Sequence, residues 1–255
     1  MLSRPQISIV VPAYKEEKSI VDNLVKLNGA LTRLFDNFEI VCVVDGRLDK
    51  TYEKARRLAS PTVRIFEYLR NMGKGYAVRF GMSQARGDVV GFIDANDLDP
   101  SGLAMLWEHM KWYHADIIIA SKRHPVSKVT YPWQRRVFSW GYQMLVRLLF
   151  HLNVRDTQVG MKLFRRQVVT KILPRMLVKA YGFDIEMLSV AYYLGFTRIF
   201  EAPVELALKF TTSSIASKGF IRTVFLMLRD TLAVFYRLHI LHYYDDSNRA
   251  KWIKD

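Results

Sequence analysis

The sequence is short of the residues that cross-link or anchor a chain. It has one cysteine, Cys42, so no disulfide can form within it, and a single thiol is typical of a reducing cytoplasm. Cys42 stands inside an apolar run at residues 40–44, which favours packing in a core over chemistry at the thiol. No stretch reaches the roughly 18 uninterrupted apolar residues that a membrane-spanning helix needs, and residues 1–5 lack the apolar segment of a secretory signal. We therefore expect a cytoplasmic protein that can lie on a membrane surface without crossing it.

Acidic residues are few compared with basic ones, and the imbalance is uneven. Residues 1–130 hold 19 Lys and Arg against 15 Asp and Glu, residues 131–255 hold 19 against 9, and the net charge is +14. A basic second half indicates an anionic partner, which can be a nucleic acid, a phosphate-bearing substrate or an acidic membrane. Because the charge forms no single run and no nucleic-acid-binding motif is present, we do not expect nucleic acid to bind. The six histidines show no metal-ligand spacing.

Half of the residues are hydrophobic, which is enough for a sizeable core, and the first 120 residues alternate two patterns. Short, nearly all-apolar runs rich in β-branched residues predict buried parallel strands. Amphipathic stretches between them predict helices, since apolar residues recur there at helical spacing. The predicted strands are residues 7–11, 39–44, 63–66, 89–93 and 117–120, and the predicted helices are 17–35, 51–59, 76–85 and 101–113. This alternation predicts an α/β fold with a mostly parallel sheet flanked by helices, in which ligands bind beyond the carboxyl ends of the strands.

From about residue 130 the pattern changes to longer helices. We expect helices at 137–152, 183–194 and 220–242, a polar connector at 153–160 and a strand at 197–204. No internal repeat, low-complexity tract or linker is visible in the sequence. The simplest organisation is one α/β domain at residues 1–215, followed by a C-terminal amphipathic helical extension at residues 216–255.

Polar residues follow the first two predicted strands. Pro12 ends the first strand because it lacks an N–H donor, and Tyr14 and Glu16 after it can stack on a base and accept hydrogen bonds from a nucleoside. The same residues also suit a plain strand-to-helix turn with acids near the helix start. Asp45 ends the second strand, where it can accept hydrogen bonds from a nucleobase edge or cap the next turn. Both choices stay open on the residues alone.

Two further segments carry groups suited to phosphate and metal binding. Glycines flank Lys74 in an Asn-Met-Gly-Lys-Gly segment, so the backbone can turn beside a ligand while the ammonium meets a phosphate; the spacing is not that of a P-loop. Asp94 ends the fourth predicted strand in the acidic segment Asp-Ala-Asn-Asp-Leu-Asp, where carboxylates repel one another unless a cation lies between them. Carboxylate and amide oxygens are ligands of Mg²⁺ and Mn²⁺. We therefore expect Asp94 and Asn96 to hold a metal, while Asp99 caps the following helix.

Taken in order, these four segments resemble the family-2 glycosyltransferases, and within them the dolichyl- or polyprenyl-phosphate hexosyltransferases. The usual family pattern is Val-Pro-Ala/Thr-Tyr-Asn-Glu, Val-Asp-Asp-Gly-Ser, Asn-x-Gly-Lys-Gly and Asp-x-Asp. Later segments agree as well, and the resemblance covers roughly residues 6–232. They are Ser121-Lys122-Arg123, the run Asp-Thr-Gln-Val-Gly-Met-Lys-Leu-Phe that begins at Asp156, Gly182-Phe183-Asp184-Ile185-Glu186, Glu201-Ala202-Pro203-Val204 and Ser217-Lys218.

The resemblance implies a GT-A fold and an inverting transfer of a hexose from a nucleotide-sugar to a polyprenyl or dolichyl phosphate. UDP-glucose and GDP-mannose are the leading donors, and the Asp-Thr-Gln segment favours glucose. Two positions depart from the pattern: Asn96 replaces the second Asp of Asp-x-Asp, and Gly46 replaces an Asp after the second strand. The implied roles are nucleotide binding by Pro12, Tyr14, Glu16, Asp45, Lys74 and Asp94, metal binding (Mg²⁺ or Mn²⁺) by Asp94 and Asn96, and catalysis by Asp94 with the phosphate-gripping Arg123, Arg135 and Lys218.

A phosphate acceptor would need no general base, because a phosphate monoester is already anionic near neutral pH. The protein would position it and neutralise its charge, with Arg136 beside the three cations already named. Three alternatives stay open. An enzyme acting on a sugar hydroxyl would need a carboxylate base, for which Asp184 or Glu186 is available. A non-catalytic nucleotide-sugar binder is suggested by Asn96, and a nucleic-acid-binding protein by the net charge alone.

Two predicted helices combine aromatic, aliphatic and basic residues in a way that suits the headgroup boundary of a membrane. The basic residues are Arg147 in helix 137–152, and Arg222, Arg229 and Arg237 in helix 220–242. Ordinary packing in a protein core would account for the same apolar residues, so both interpretations stay open. With a membrane face the protein would be peripheral, at the cytoplasmic side.

Overall fold

The structure is a computed structural model that describes residues 4–95, 100–125, 127, 133–180, 182–204 and 220–252. The side chains of residues 101, 133–139 and 220–223 are outside this description, although their backbone lies in helices. Asn96, Asp99 and Lys218 therefore lie outside the described residues, and Arg135 is described in its backbone alone.

One mixed sheet runs through the described part of the chain. Its spatial order is β3-β2-β1-β4-β6-β5-β7. The first four strands run parallel to one another, β6 runs antiparallel to both β4 and β5, and β7 is parallel to β5. The strands are β1 (Ile7–Ala13), β2 (Phe38–Asp45), β3 (Val63–Tyr68), β4 (Val89–Ile93), β5 (Ile117–Ser121), β6 (Met161–Arg165) and β7 (Ile199–Pro203). The expected mostly parallel α/β sheet is confirmed.

Helices cover both faces of the sheet, because alternate strand residues point to opposite sides. Ile9 packs in one buried cluster with Leu24 and Leu106, whereas its neighbour Val10 belongs to the other cluster with Val78. The helices are α1 (Ile20–Leu34), α2 (Thr51–Arg56), α3 (Lys74–Gln84), α4 (Ser101–Trp112), α5 (Trp133–Phe150), α6 (Arg166–Ile172), α7 (Phe183–Tyr193), α8 (Phe220–His239) and α9 (Arg249–Trp252). Short 3₁₀ turns lie at Leu173–Arg175 and Asp246–Asn248.

The sequence pattern did not predict strand β6, nor helix α6 directly after it. The strand follows directly on the segment expected to be a polar connector, and it contains Lys162 and Arg165. Lys162 is fully buried in the middle of the sheet, between β4 and β5. A charged residue inside a five-residue strand breaks the apolar pattern by which buried strands are recognised, and this explains the omission.

Helices α5 and α8 each have one side packed in the protein and another side exposed. Phe150 and Phe235 lie with ring centroids 6.3 Å apart, and the Tyr142 and Thr231 hydroxyls are 2.9 Å apart. Core packing thus accounts for one side of each helix. The exposed apolar residues are Trp140, Met144 and Leu148 on α5, and Phe225, Leu232 and Tyr236 on α8. Within the ranges that the structure describes, no helix has the length and apolar character to cross a bilayer.

The region after α8 folds back onto α7. Tyr244 is fully buried, and its hydroxyl donates to the Glu186 carboxylate at 2.7 Å. Arg237 of α8 approaches the same carboxylate at 3.4 Å. The predicted boundary between residues 215 and 216 lies outside the described residues, so the division into a domain and an extension stays a prediction.

Candidate active site at the carboxyl edge of the sheet

The carboxyl ends of three parallel strands bring the predicted site residues to one edge. Ala13 of β1 pairs with Val44 of β2, and Val10 pairs with Phe92 of β4, so these strands end at similar heights. Asp45 is the last residue of β2, and Asp94 follows the last residue of β4. The edge expected to carry the chemistry is therefore where the polar residues gather.

Asp94 is held between a cation and a turn of main chain. Its Oδ2 lies 2.7 Å from the Lys74 ammonium, at the start of α3. Its backbone N–H donates to the Gly160 carbonyl oxygen at 3.0 Å. A Cβ on Gly160 would lie 2.1 Å from Asp94 Oδ2, so a side chain there would displace the Asp94 carboxylate. Two of the predicted residues, Lys74 and Asp94, are thus in direct contact.

The second carboxylate oxygen of Asp94 is suited to a metal ion. Oδ1 is buried and has no hydrogen-bond partner among the described residues. A buried carboxylate oxygen without a partner is costly unless a cation or a donor completes it. The described residues contain no group of three or more His, Cys, Asp or Glu arranged to hold a metal. Mg²⁺ commonly uses one or two carboxylates together with substrate phosphates and water. The Asp94 carboxylate fits that kind of site, whereas Asn96 lies outside the described residues.

A buried ion pair lies beneath Asp94. Lys162 is fully buried, and its ammonium donates to the Asp184 carboxylate and, at 2.6 Å, to the Val159 carbonyl oxygen. It also lies 5.1 Å from the centre of the Phe92 ring. Burial raises the pKa of Asp184, while the Lys162 and Lys74 ammonium groups oppose that rise. Lys162 therefore holds the turn that brings Gly160 against Asp94, and sequence reasoning assigned it no role.

Asp45 organises the loop in front of Lys74. Its two carboxylate oxygens accept the backbone N–H groups of Met72 at 2.7 Å and Gly73 at 3.0 Å, and its side chain is buried. Gly46 has φ +91°, and a Cβ there would lie 2.8 Å from the Asn71 nitrogen. Glycine at position 46, where the sequence departs from the family pattern, thus allows this loop to approach closely. A nucleobase contact by Asp45 stays a prediction beside this observed role.

The segment after β1 leaves one aromatic ring open. Tyr14 is 47% exposed, with the Lys15 ammonium 5.6 Å from its ring centre, and Pro12 is half-buried. The Glu16 carboxylate accepts a hydrogen bond from the Ser19 hydroxyl, and the Glu16 backbone N–H donates to Thr51 Oγ1 at 2.9 Å. Tyr14 is therefore available for stacking, whereas Glu16 also shapes the turn. Their nucleotide contacts stay predictions.

The segment before β6 brings a carboxyl group next to the predicted phosphate cations. Asp156 Oδ2 accepts the Lys122 backbone N–H at 3.2 Å. Arg123 Nη1 donates to the Arg155 carbonyl oxygen at 3.1 Å. Burial raises the pKa of Asp156 to about 6, against the opposing charges of Lys162, Lys122 and Arg123. Asp156 belongs to the segment that carries the family resemblance, but the sequence alone assigned it no role.

The two carboxylates considered as bases are both deeply buried. Asp184 is 3% exposed and paired with Lys162. Glu186 is fully buried and accepts the backbone N–H groups of Leu177 at 3.0 Å and Val178 at 2.8 Å. Its bonds hold the segment that leads to Lys179, whose carbonyl oxygen accepts the Tyr76 N–H at 3.3 Å. Glu186 therefore stabilises the segment that contacts the start of α3.

Known proteins resemble this chain in sequence over most of its length. The family described as "Glycosyl transferase family 2" matches residues 8–173. A dolichyl-phosphate beta-glucosyltransferase of Drosophila melanogaster is 32% identical over 203 residues, which are 73% of this chain and 62% of that protein. The human protein of the same description is 28% identical over 238 residues, 81% of this chain and 67% of the relative. The chain thus spans less than two thirds of the fly protein and about two thirds of the human one.

Solved structures resemble this chain in fold. Glucosyl-3-phosphoglycerate synthase from Mycobacterium tuberculosis, crystallised with Mn²⁺, UDP and phosphoglyceric acid, superposes with a TM-score of 0.68 at 20% identity. The match covers 92% of this chain and 78% of that one. The expected GT-A type of fold is confirmed by this likeness, together with the helix that follows the sheet.

Proposed function

This chain belongs to glycosyl transferase family 2, and from that membership we propose that it moves glucose from UDP-glucose to a dolichyl or polyprenyl phosphate. One observation carries the donor half of this proposal. Asp94 stands at the carboxyl edge of the sheet with one oxygen paired to Lys74 and the other buried without a partner. The names of the relatives support glucose and dolichyl phosphate over mannose and GDP-mannose.

On the donor side, each residue has a specific task. Asp94, with Asn96, would hold Mg²⁺ or Mn²⁺, which would supply positive charge for the leaving diphosphate. Lys74 would exchange part of its contact with Asp94 for a phosphate oxygen of the donor. Asp45 would keep the loop before Lys74 in place, while Tyr14 stacks on the base and Pro12 and Glu16 line the same end.

On the acceptor side, the polyprenyl phosphate is its own nucleophile. A phosphate oxygen attacks the anomeric carbon from the face opposite the diphosphate, the bond between that carbon and the diphosphate oxygen breaks, and the configuration inverts. No proton has to be removed, so the described burial of Asp184 and Glu186 is no obstacle. Arg123, Arg135 and Lys218 would neutralise the acceptor charge and position it. An acceptor hydroxyl would instead need an accessible base.

The lipid nature of the acceptor calls for a membrane contact. The exposed apolar side chains of α5 and α8, with Arg147 and Arg229 also exposed, suit an interfacial site on an acidic leaflet. Trp140 and Leu148 are one such pair, two helical turns apart on α5. We place the protein at the cytoplasmic face as a peripheral component, without a nucleic-acid partner.

The test is a transfer assay with two donors and two acceptors. Radiolabelled UDP-glucose and GDP-mannose are each offered with dolichyl phosphate and with free dolichol, in the presence of Mg²⁺ or Mn²⁺. We expect label in the lipid phase with UDP-glucose and dolichyl phosphate only, and no transfer by Asp94→Asn. Transfer to free dolichol, or to an oligosaccharide offered in a separate reaction, while dolichyl phosphate is ignored would overturn the phosphate acceptor. Tight nucleotide binding with no transfer to any acceptor would favour the non-catalytic alternative.

A further inference from the structure

A cleft opens at the edge of the sheet opposite to Asp94. Asp88 precedes β4, and Arg165, the last residue of β6, pairs with Val89 at that same end. Asp94 lies beyond the other end of β4, a strand of five residues and so about 17 Å long. The cleft has a volume of about 440 Å³. It is lined by Asp88, His114, Arg165, Arg166, Gln167 and Arg198.

Two of its arginines are fixed in orientation by main-chain carbonyls. Arg165 Nε donates to the Ala115 carbonyl oxygen at 2.7 Å. Arg166 Nε donates to the Gly87 carbonyl oxygen at 2.6 Å, and its Nη2 to that of Ala85 at 3.1 Å. Both Nη groups of Arg165 and the Nη1 group of Arg166 bond to none of the described residues. A guanidinium held through Nε has its remaining donors set in a plane before any ligand arrives, which lowers the entropy cost of binding.

Positive charge around the cleft exceeds negative charge. Arg198 is paired with Asp116 at 3.2 Å, and Arg4 with Asp88 at 3.3 Å. These pairs leave Arg165 and Arg166 without a carboxylate of their own. Burial lowers the pKa of the Arg166 guanidinium, and the nearby charge of Arg4 lowers it further. The Asp88 and Glu39 carboxylates act on the pKa of Arg166 in the opposite direction, but Asp88 is itself paired with Arg4 and Glu39 with Arg64 at 3.2 Å.

We propose that this cleft binds a phosphate-class oxyanion, as free phosphate or as the phosphate of a lipid headgroup, between Arg165, Arg166 and Arg198. Planar forks of arginine donors match the oxygens of phosphate groups. The proposal does not depend on sugar transfer, since the donor and acceptor of that reaction would meet at the other edge of the sheet. It assigns a second anion site to a face that the transfer reaction does not use.

The test follows the side-chain Nε–H signals of these arginines by NMR during titration of the full chain with inorganic phosphate at constant ionic strength. We expect the Arg165, Arg166 and Arg198 signals to shift together and to saturate, while the signal of exposed Arg229 stays still. Equal shifts of the Arg229 signal, or signals that do not saturate with phosphate, would mean that phosphate only screens charge. Either result would overturn the proposed site.

Two variants and a matched control sharpen the result. Arg198→Gln removes one positive charge from the cleft, together with the Nη1 group that the pair with Asp116 does not use, and should raise the phosphate concentration at the midpoint by roughly threefold. Asp88→Asn removes the opposing charge and should lower that concentration by a similar factor. Arg229→Gln should leave the midpoint unchanged. Because Asp88 is 64% exposed, its variant should fold, and a midpoint that is identical in all four proteins would refute the proposal.

A second arm distinguishes the two sources of phosphate. Vesicles of phosphatidylcholine with phosphatidic acid are added to the phosphate-bound protein. A further change of the three arginine signals away from their phosphate-bound positions, absent with vesicles of phosphatidylcholine alone and weakened by Arg198→Gln, identifies a headgroup. Signals that stay at the phosphate positions identify a free anion.

Discussion

The backbone N–H of Asp94 donates a 3.0 Å hydrogen bond to the carbonyl oxygen of Gly160, which ties the end of β4 to the residue before β6. The same approach brings the Gly160 α-carbon against the Asp94 carboxylate, where a side chain would meet Oδ2 at 2.1 Å. The position of the metal-binding candidate is thus set by a residue 66 positions later in the sequence.

Gly160→Ala should displace the Asp94 carboxylate and impair the site. We expect at least a 100-fold loss of glucosyl transfer, since a displacement of about 1 Å in an active site can cost that much, together with weaker Mn²⁺-dependent binding of UDP by calorimetry. Gly29→Ala is the matched control, because nothing lies within 4 Å of its added methyl group and Gly29 lies inside α1. It should keep activity and gain up to about 1 kcal/mol of stability. Full activity in Gly160→Ala would contradict the role of this contact.

Lys162→Met should destabilise the protein strongly because it leaves Asp184 buried without its cation. Loss of one partner of a buried pair costs about 3–5 kcal/mol, measured by urea unfolding at pH 7. Lys162 lowers the pKa of Asp184, so the pKa in the variant rises further above that of the unfolded chain. The loss should therefore shrink as the pH falls and Asp184 becomes protonated. A double variant, Lys162→Met with Asp184→Leu, should recover part of the stability.

Asp156 should make the free energy of unfolding depend on pH between about 4 and 6. Its pKa is raised to about 6 in the folded protein, above the value in the unfolded chain, so the folded state binds the proton more tightly in this window. Its contribution is therefore present at low pH and is lost as the pH rises through 6. We expect the contribution of Asp156 to the free energy of unfolding to be about 2 kcal/mol, because its carboxyl group is partly accessible to solvent. Asp156→Asn should remove this slope, whereas Asp22→Asn, on the exposed side of α1, should keep it.

Asp45→Ala should release the loop in front of Lys74. The backbone N–H groups of Met72 and Gly73 lose their acceptor, so their hydrogen exchange should speed up by at least tenfold. We expect weaker binding of UDP as well, seen as a smaller thermal shift with Mn²⁺. Glu67→Ala, on the neighbouring strand β3, removes the ion pair with the exposed Arg47 and serves as the control. Unchanged exchange at both amides would contradict this role of Asp45.

Trp140→Glu should weaken the attachment of the protein to membranes. Trp140 is 61% exposed on α5, and a carboxylate there would oppose insertion into an anionic leaflet. Flotation with vesicles that contain phosphatidylserine should show less bound variant than wild type. Trp112→Glu is the matched control, because Trp112 is 81% exposed on α4. Equal losses in both variants would mean that net charge, and not the face formed by α5 and α8, governs binding.

Several parts of the fold follow from local patterns. Residues 7–11, 39–44 and 89–93 are nearly all-apolar runs bounded by polar residues, and each forms a strand that ends near Pro12, Asp45 or Asp94. Contrary to the prediction, Pro12 does not end β1, because the strand continues to Ala13 and Pro12 lies opposite Val43 of β2. Parallel strands that alternate with helices must end at one edge, so the gathering of these residues could be predicted. Most of the longer helices could be predicted because an apolar face repeats in them at helical spacing, whereas the seven-residue α6 was not predicted.

The sequence by itself determined which residues end the parallel strands and which of them can hold a cation. Only the tertiary structure decided the neighbours of Asp94, because β6 enters the sheet antiparallel between β4 and β5 and carries its lysine into the core. Lys162 is tolerated there since Asp184, on a later helix, neutralises it. A pairing between residues 22 positions apart on different elements leaves no periodic signal, and its energy depends on burial that exists only once the chain has folded.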